Sequence, residues 1–190
     1  MSRGVLLVLA GTSGAGKGTL GRRLREQEPG LRWSVSWTTR ASRPGERAGV
    51  DYQFVTREEF EKLRDAGGFL ESFEVYGDLK GTPRQFVIET LAQGHDVMLE
   101  LDVNGALKVR DEIPDALLVF VQAPSRDEQR RRLEDRAADG PEAIERRLGR
   151  AEAEERIASE HFDAVIVNDD VDRATAELTA ILESRRSAGP

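Results

Sequence analysis

The sequence predicts an α/β fold in which helices flank a parallel core sheet, with a small inserted mixed-β lobe and a helical lid. Short apolar runs alternate with longer charged, amphipathic stretches, as in strand–helix alternation. Four runs are almost continuously apolar, which is typical of strands buried on both faces of a parallel sheet. Between residues 34 and 83 the runs are shorter and alternate apolar with polar residues, which favours a mixed or antiparallel sheet exposed on one face.

The predicted strands divide between the core and the inserted segment. The four buried runs belong to the core, and the shorter runs lie in or beside the inserted segment. In chain order the strands cover residues 5–10, 33–37, 52–55, 69–75, 97–102, 117–121 and 164–167.

Helix boundaries are predicted from capping and breaking residues. A capping box marks two helix starts, a proline marks a third, and a Gly-Pro pair divides the charged segment 125–160 into two helices. These signals lie at Thr56 with Glu59, Ser125 with Glu128, Pro83 in the first turn of a helix that ends near Gln93, and Gly140 with Pro141. A last helix covers about residues 172–184.

The length of 190 residues predicts a single domain. We assign residues 1–33, 84–125 and 160–190 to its core, residues 34–83 to the lobe and residues 126–159 to the lid. The net charge of −7 disfavours general binding to nucleic acids. The chain contains no cysteine, which excludes disulfides and thiol catalysis, and its two histidines disfavour a His-rich metal site.

The early apolar run at residues 5–10 is far shorter than a membrane-spanning helix requires. It leads into a glycine-rich segment with Lys17, which is unlike the cleavage site of a signal peptide. We therefore expect a cytoplasmic protein without a membrane partner. The sequence leaves the choice between a monomer and a homo-oligomer open.

The glycine-rich segment predicts a phosphate-binding loop and, with it, a P-loop kinase fold. Residues 11–19 read Gly-Thr-Ser-Gly-Ala-Gly-Lys-Gly-Thr between a buried strand and a helix, which is the context this motif requires. Glycines let successive backbone amides point at phosphate oxygens, and the helix adds its positive end. We expect ATP to contact Gly11, Thr12, Ser13, Gly14, Ala15, Gly16, Lys17, Gly18 and Thr19.

Gly18 occupies the position where the usual motif has a serine or threonine, so a direct hydroxyl ligand for Mg²⁺ is missing there. Thr19 follows one residue later. This Gly-Lys-Gly-Thr ending is similar to that of nucleoside monophosphate kinases. We expect phosphates and waters to hold Mg²⁺, with Thr19 and Asp102 near it.

Beyond the loop, the chain resembles the guanylate kinase family from about residue 5 to residue 182. The motifs occur in the order and at the spacing of the family. They are residues 34–46 (Ser-Val-Ser-Trp-Thr-Thr-Arg-Ala-Ser-Arg-Pro-Gly-Glu), Asp51-Tyr52, Phe69-Leu-Glu71, Gly81-Thr82-Pro83, residues 100–105 (Glu-Leu-Asp-Val-Asn-Gly), Arg136, Arg147 and residues 165–170 (Val-Ile-Val-Asn-Asp-Asp). The resemblance implies transfer of the γ-phosphoryl group of ATP to GMP, giving ADP and GDP, in purine nucleotide metabolism.

The resemblance also assigns an acceptor site. It places Arg40 and Arg43 on the GMP phosphate, and two guanidinium forks can indeed grip one phosphate from two sides. Without the motif, these two would be interpreted as ordinary solvated arginines. Hydroxyl donors to the same phosphate are expected from Ser36, Tyr52 and Thr82, and Ser36 and Thr82 are also candidates for the base edge.

Glu71 and Asp102 are the candidates for base specificity. An ionised carboxylate only accepts hydrogen bonds, and guanine presents N1–H and a 2-amino group as donors on one edge. The alternative for Glu71 is a surface position on a strand. Lys80 stands where the family usually has tyrosine, and we predict that it serves the same phosphate, the alternative being a side chain that points into solvent.

The arginine-rich lid is predicted to bring Arg136 and Arg147 onto the phosphates, by resemblance to the family. The other arginines of this segment are assigned mostly structural roles, for the most part on a solvated helix face. They are Arg126, Arg130–Arg132, Arg146, Arg150 and Arg156. Asn168 matches an adenine contact in the family, and a turn residue is an equally good interpretation.

Two other functions remain open at this point. One is a kinase on the same scaffold for a phosphorylated ribose or AMP, which the two carboxylates disfavour. The other is a non-catalytic guanylate-kinase-like module that binds proteins, which the intact phosphate loop disfavours.

Overall fold

The computed structural model describes residues 3–43, 45–75, 77–135 and 140–189. Across these residues the chain forms two sheets and seven helices. The strands are β1 (Leu6–Gly11), β2 (Arg32–Trp33), β3 (Trp37–Thr38), β4 (Gln53–Phe54), β5 (Phe69–Val75), β6 (Asp78–Pro83), β7 (Val97–Glu100), β8 (Leu117–Gln122) and β9 (Ala164–Val167). The helices are α1 (Lys17–Gln27), α2 (Arg57–Asp65), α3 (Arg84–Ala92), α4 (Val103–Glu112), α5 (Arg126–Glu134), α6 (Pro141–His161) and α7 (Val171–Ala188).

The core sheet contains five parallel strands in the order β2-β7-β1-β8-β9. β1 lies in the middle, with Leu7 paired to Met98 of β7 and to Leu117 of β8. Because parallel strands share one direction, the segments that follow β1, β7, β8 and β9 gather at one edge of the sheet, where open α/β sheets bind ligands.

The side chains of β1 alternate between two apolar layers. Leu6, Val8 and Ala10 pack with apolar residues of α3, α4 and α6. Leu7 and Leu9 pack with apolar residues of α1 and α7. All of β1 is buried as a result, which explains its continuous apolar sequence and confirms the predicted parallel sheet between helices.

The second sheet is smaller and mixed, in the order β4-β3-β6-β5. β3 pairs parallel with β4, while β6 runs antiparallel to β3 and β5. A small cluster of Phe60, Phe69 and Leu79 packs against it, and the first two rings stack at a centroid distance of 4.3 Å. This cluster fixes β5 and β6, which carry three of the predicted site residues.

The predicted strand at residues 33–37 is wrong as a single element. Arg32–Trp33 joins the core sheet and Trp37–Thr38 joins the second sheet, so the chain passes from one sheet to the other within this run. A pattern of apolar and polar residues cannot divide two strands of two residues each.

The strand Asp78–Pro83 escaped prediction. It contains a glycine and a proline, which are both depleted in strands. Backbone pairing with β5 and β3 stabilises the strand despite these two residues. The predicted strands at 69–75 and 164–167, by contrast, match the structure at both ends.

Most helix boundaries follow the predicted signals. Thr56 caps α2 in a complete capping box with Glu59, and Pro141 occupies the first turn of α6 after the predicted break. Ser125 caps α5, but the carboxylate of Glu128 binds two arginines of its own helix, so that capping box is incomplete.

Two helix ends depart from the prediction. Pro83 is the N-cap of α3 instead of a residue of its first turn. The last helix extends to Ala188, four residues beyond the predicted end. Within the described residues, no helix has both the length and the apolar character required to cross a bilayer. The division into core, lobe and lid at the stated boundaries stays a prediction.

We expect Thr56→Ala to lower the free energy of unfolding by about 1 kcal/mol, because the amide of Glu59 loses the hydroxyl that it binds at 3.2 Å. Thr56→Ser keeps this acceptor and serves as the matched control. Urea denaturation of both variants and the unmodified protein measures the difference. Equal stability of the alanine and serine variants would contradict the capping assignment.

Candidate active site

The predicted phosphate loop follows β1 at the carboxyl edge of the core sheet, and α1 begins at Lys17. Gly14 and Gly16 have φ angles of 86° and 91°, a backbone region that favours glycine. A Cβ atom on Gly11 would lie 2.0 Å from the carbonyl oxygen of Val121 in β8. The backbone path therefore requires these glycines, and it ends at the positive end of α1, where anions bind.

The side chain of Lys17 folds back over the beginning of the loop. Its Nζ donates to the carbonyl oxygen of Gly11 at 2.7 Å and to that of Thr12 at 3.3 Å. The hydroxyl of Thr12 is buried and has no hydrogen-bond partner among the described residues. The ammonium group of Lys17 therefore lies against carbonyl oxygens of the loop.

Two side chains of α5 support the loop from the other side. Gln129 is buried, and its Nε2 donates to the carbonyl oxygen of Ser13 at 2.7 Å. Arg132 donates to the carbonyl oxygens of Ala15 at 3.4 Å and Asn168 at 3.0 Å. Arg132, to which the sequence analysis assigned a mostly structural role, thus binds backbone carbonyl groups, and Gln129 was missed because nothing in a helical sequence identifies a backbone carbonyl as the target.

Asn168 lies directly beneath the loop, after β9. Its side chain is buried, with 2% of the residue exposed, and its Nδ2 donates to the carbonyl oxygen of Ala15 at 2.7 Å. A Cβ atom on Gly16 would lie 2.3 Å from this Nδ2. The amide oxygen of Asn168 is also buried and has no partner within the described part of the chain. This amide supports the loop, and neither of its polar atoms is exposed.

Helix α6, part of the predicted lid, reaches the loop through Arg147, whose Nη1 donates to the hydroxyl of Ser13 at 2.9 Å. Ion pairs join α6 to α5, and they are Arg126 with Glu155 and Arg130 with Glu145. Arg136, the other predicted lid arginine, lies outside the described residues.

Glu154 is a half-buried carboxylate of the lid that sequence reasoning missed. Burial raises its pKa, while the positive charge of Lys17 acts to lower it and the negative charge of Asp102 raises it further. These couplings connect α6 electrostatically to the phosphate loop and to the start of α4.

Three oxygen-bearing side chains at the starts of α1 and α4 are relevant to a metal ion. A Cβ atom on Gly18 would lie 3.5 Å from Oε2 of Glu100, so this carboxylate, to which the sequence analysis assigned no role, lies beside the first turn of α1. Asp102 caps α4, with one oxygen accepting from the amide of Gly105 at 2.8 Å. The hydroxyl of Thr19 accepts from Arg22 at 3.4 Å.

In the second sheet, Glu71 of β5 is a buried carboxylate with 5% of the residue exposed. The hydroxyl of Thr82, also buried, donates to its Oε1 at 2.6 Å. Its Oε2 makes no hydrogen bond within the described residues. Burial raises the pKa of Glu71, and the hydrogen bond from Thr82 together with the charge of Lys80 opposes that shift. The surface-strand alternative for Glu71 was wrong.

Cationic side chains gather around the ring of Tyr52. The guanidinium of Arg40 lies 5.4 Å from the ring centroid, and Nζ of Lys80 lies 5.2 Å from it. Arg40 also pairs with Glu46, its Nη2 lying 2.7 Å from Oε1. Arg43 is exposed, and its guanidinium makes no hydrogen bond or ion pair with the residues described.

The predicted residues therefore form two clusters. The first surrounds the phosphate loop with Lys17, Thr19, Asp102, Arg147 and Asn168, and the second comprises Arg40, Tyr52, Glu71, Lys80 and Thr82. Ser36 is half-buried beside the second cluster, where its carbonyl oxygen accepts from the amide of Gln53 at 2.9 Å. Its side chain makes no hydrogen bond within the described part of the chain.

Comparison with known proteins covers nearly the whole chain. A family model described as guanylate kinase matches residues 3–185. The chain is 50% identical over 186 residues to a guanylate kinase of Symbiobacterium thermophilum, covering 97% of this chain and 87% of that relative. It is also 50% identical over 182 residues to a guanylate kinase of Rubrobacter xylanophilus, covering 96% of this chain and 95% of that relative.

A solved structure agrees with these relatives. The crystal structure of guanylate kinase from Anaplasma phagocytophilum superposes with a TM-score of 0.78 at 35% sequence identity, covering 96% of this chain and 86% of that chain. The sequence matches and the shared architecture lead to one conclusion: the chain belongs to the guanylate kinase family.

Proposed function

We propose that this protein transfers the γ-phosphoryl group of ATP to GMP, giving ADP and GDP, and so takes part in purine nucleotide recycling. Relatives that are 50% identical over nearly the full length are guanylate kinases. The observation that carries the choice of acceptor is Glu71, a buried carboxylate with one oxygen bound by Thr82 and the other without a hydrogen bond to the described residues.

Guanine fits this carboxylate because its N1–H and 2-amino group both donate hydrogen bonds. Adenine offers no donor at N1 or C2, so it would bring an acceptor against an acceptor. Sites with buried polar groups discriminate strongly against ligands that leave those groups unpaired. Asp102 adds negative charge near Glu71, and we assign Glu71 as the main base contact, with Thr82 positioning it.

We assign Arg40, Arg43, Tyr52 and Lys80 to the GMP phosphate, with Ser36 beside them. The convergence of Arg40 and Lys80 on one aromatic ring supports this assignment. Their charges would offset the dianionic acceptor phosphate.

Phosphoryl transfer here needs positioning and charge neutralisation. The GMP phosphate has a second pKa of about 6, so it is largely dianionic at neutral pH and no side chain has to remove a proton. Its oxygen attacks the γ-phosphorus of ATP in line, and ADP leaves. Lys17, Arg136 and Arg147 would stabilise the charge that spreads over the transferred group, and the lid would exclude water.

The donors beside α1 fit Mg²⁺, which prefers oxygen ligands and retains several waters. The carboxylate of Glu100 lies beside Gly18 at the start of α1. The described residues contain no group of three or more His, Cys, Asp or Glu side chains that could hold a metal ion. Thr19, Glu100 and Asp102 would help to hold Mg²⁺ together with the phosphates of ATP and waters. When bound, Mg²⁺ would neutralise charge on the β and γ phosphates.

We assign Asn168 to positioning the phosphate loop, since both polar atoms of its amide are buried. Its predicted contact with adenine stays a prediction. The cytoplasmic setting, the absence of nucleic-acid and membrane partners and the open oligomeric state also stay as the sequence analysis stated them. The buried Glu71 disfavours a kinase for AMP or a phosphorylated ribose, because neither acceptor offers the guanine donors that this carboxylate matches. The intact phosphate loop disfavours a non-catalytic module.

A coupled assay of ADP release with ATP, Mg²⁺ and four acceptors tests the function. We expect kcat/KM with GMP to exceed that with AMP, UMP or CMP by at least about a hundredfold. Glu71→Gln should lower kcat/KM for GMP by about ten- to a hundredfold, because the guanine donors lose a charged acceptor. Glu74→Gln removes an exposed carboxylate from the same strand and is the matched control. Comparable turnover of GMP and AMP by the unmodified protein would refute the proposal.

Lys80→Ala should raise KM for GMP about tenfold, since the acceptor phosphate loses a charged hydrogen bond. Lys80→Tyr replaces that donor with a hydroxyl and should restore most of the affinity. Lys62→Ala removes an exposed lysine of α2 and controls for net charge. If neither Lys80 variant changes KM for GMP, the side chain has no role at the phosphate.

A further inference from the structure

The carboxylate of Glu46 binds the guanidinium of Arg40 through two hydrogen bonds. Nη1 donates to Oε2 at 3.0 Å and Nη2 donates to Oε1 at 2.7 Å. The same Oε2 accepts from the backbone amide of Arg43 at 2.7 Å. One carboxylate therefore connects the two arginines assigned to the acceptor phosphate.

Glu46 is itself fixed by the local backbone. Its amide donates to the carbonyl oxygen of Arg43 at 3.0 Å, which closes a turn. The Glu46 and Arg40 side chains are only 21% and 22% exposed. The hydrogen bond from Arg40, followed by that from the Arg43 amide, lowers the pKa of Glu46, so the carboxylate is ionised at neutral pH.

These contacts occupy one edge of the Arg40 guanidinium. Besides its bond to Glu46, Nη1 donates to the carbonyl oxygen of Ala41 at 2.7 Å, which uses both of its hydrogens. Nε and the second hydrogen of Nη2 make no hydrogen bond with the residues that the structure describes. They form the other edge of the fork, whose geometry matches two oxygens of a phosphate.

Resting on the proposed function, we infer that Glu46 is a positioning residue for the acceptor phosphate. It holds Arg40 with the Nε–Nη2 edge available and keeps the Arg43 amide in the same turn. The sequence motif does not assign this role, because a glutamate among phosphate-binding arginines is usually interpreted as an exposed side chain that balances their charge. A partly exposed ion pair contributes little to overall stability, so the effect of Glu46 is expected in ligand binding.

Orientation and simple electrostatics predict opposite results for Glu46→Gln. Removing a negative charge near a dianionic phosphate would by itself strengthen GMP binding. Losing the two-bond clamp frees the rotamers of Arg40 and weakens binding. The sign of the change in GMP affinity therefore decides between a positioning residue and a competitor that occupies the phosphate site.

Calorimetric titration of the full chain with GMP and with guanosine, together with steady-state kinetics, provides the test. We expect Glu46→Gln to raise the dissociation constant and KM for GMP about tenfold. Guanosine, which lacks the phosphate, should bind as before, and kcat and KM for ATP should change by less than about twofold. Glu46→Asp keeps the charge on a shorter stem and should recover part of the loss.

Asp51→Asn is the matched control. Asp51 is an exposed carboxylate of the same loop that accepts from the backbone amide of Arg47 at 2.8 Å and binds no guanidinium of the residues that the structure describes. We expect this variant to bind GMP as the unmodified protein does. Equal losses in the Asp51 and Glu46 variants would attribute the effect to loop stability and overturn the inference.

Unchanged or tighter GMP binding by Glu46→Gln would also overturn the inference while leaving the proposed function intact, provided that the unmodified protein phosphorylates GMP. An unmodified protein that phosphorylates other acceptors but not GMP would instead overturn the proposed function itself.

Discussion

The phosphate loop can present its amides to an anion only if its carbonyl groups find hydrogen-bond donors elsewhere. A buried carbonyl without a donor is costly. The structure supplies the donors from three separate elements: Lys17 at the start of α1, Gln129 on α5 and Asn168 after β9. The loop, the lid and the end of the core sheet are therefore connected through the backbone of one short turn.

This arrangement also explains how an acidic chain builds a site for phosphates. Arginines of α5 that bind no backbone of the loop are paired with carboxylates, as in Arg126 with Glu155 and Arg130 with Glu145. The cations placed at the two clusters are held differently, because Lys17 and Arg147 contact the loop itself and Lys80 contacts an aromatic ring. Positive charge is thereby concentrated where phosphates would bind, although the net charge is −7.

Much of the fold could be predicted because local features of the sequence determined it. The buried run of β1, the glycines after it and the capping box at Thr56 all have direct physical consequences that are visible in sequence. The division of residues 33–37 between two sheets could not be predicted, since strands of two residues carry no period. β6 was missed because its glycine and proline oppose a strand, which forms through pairing with β5 and β3.

The candidate site, too, contains some features that the sequence shows and others that only the structure shows. Chemistry that depends on residue type, such as a lysine after a glycine-rich loop, is visible in sequence. Chemistry that depends on which backbone atom a side chain meets is not visible. Gln129 and Arg132 illustrate this, because helical spacing says nothing about a distant carbonyl. Asn168 was found by resemblance, but its contact with Ala15 appears only in three dimensions.

The most direct test of this account is the affinity of Asn168→Ala for ATP and for inorganic tripolyphosphate, each measured with Mg²⁺ by calorimetry. Loss of the donor to Ala15 should distort the loop, so both dissociation constants should rise by a similar factor of about ten. Binding of GMP should not change. A loss confined to ATP, with tripolyphosphate bound as tightly as before, would show that Asn168 reads the adenine base and would contradict its role in shaping the loop.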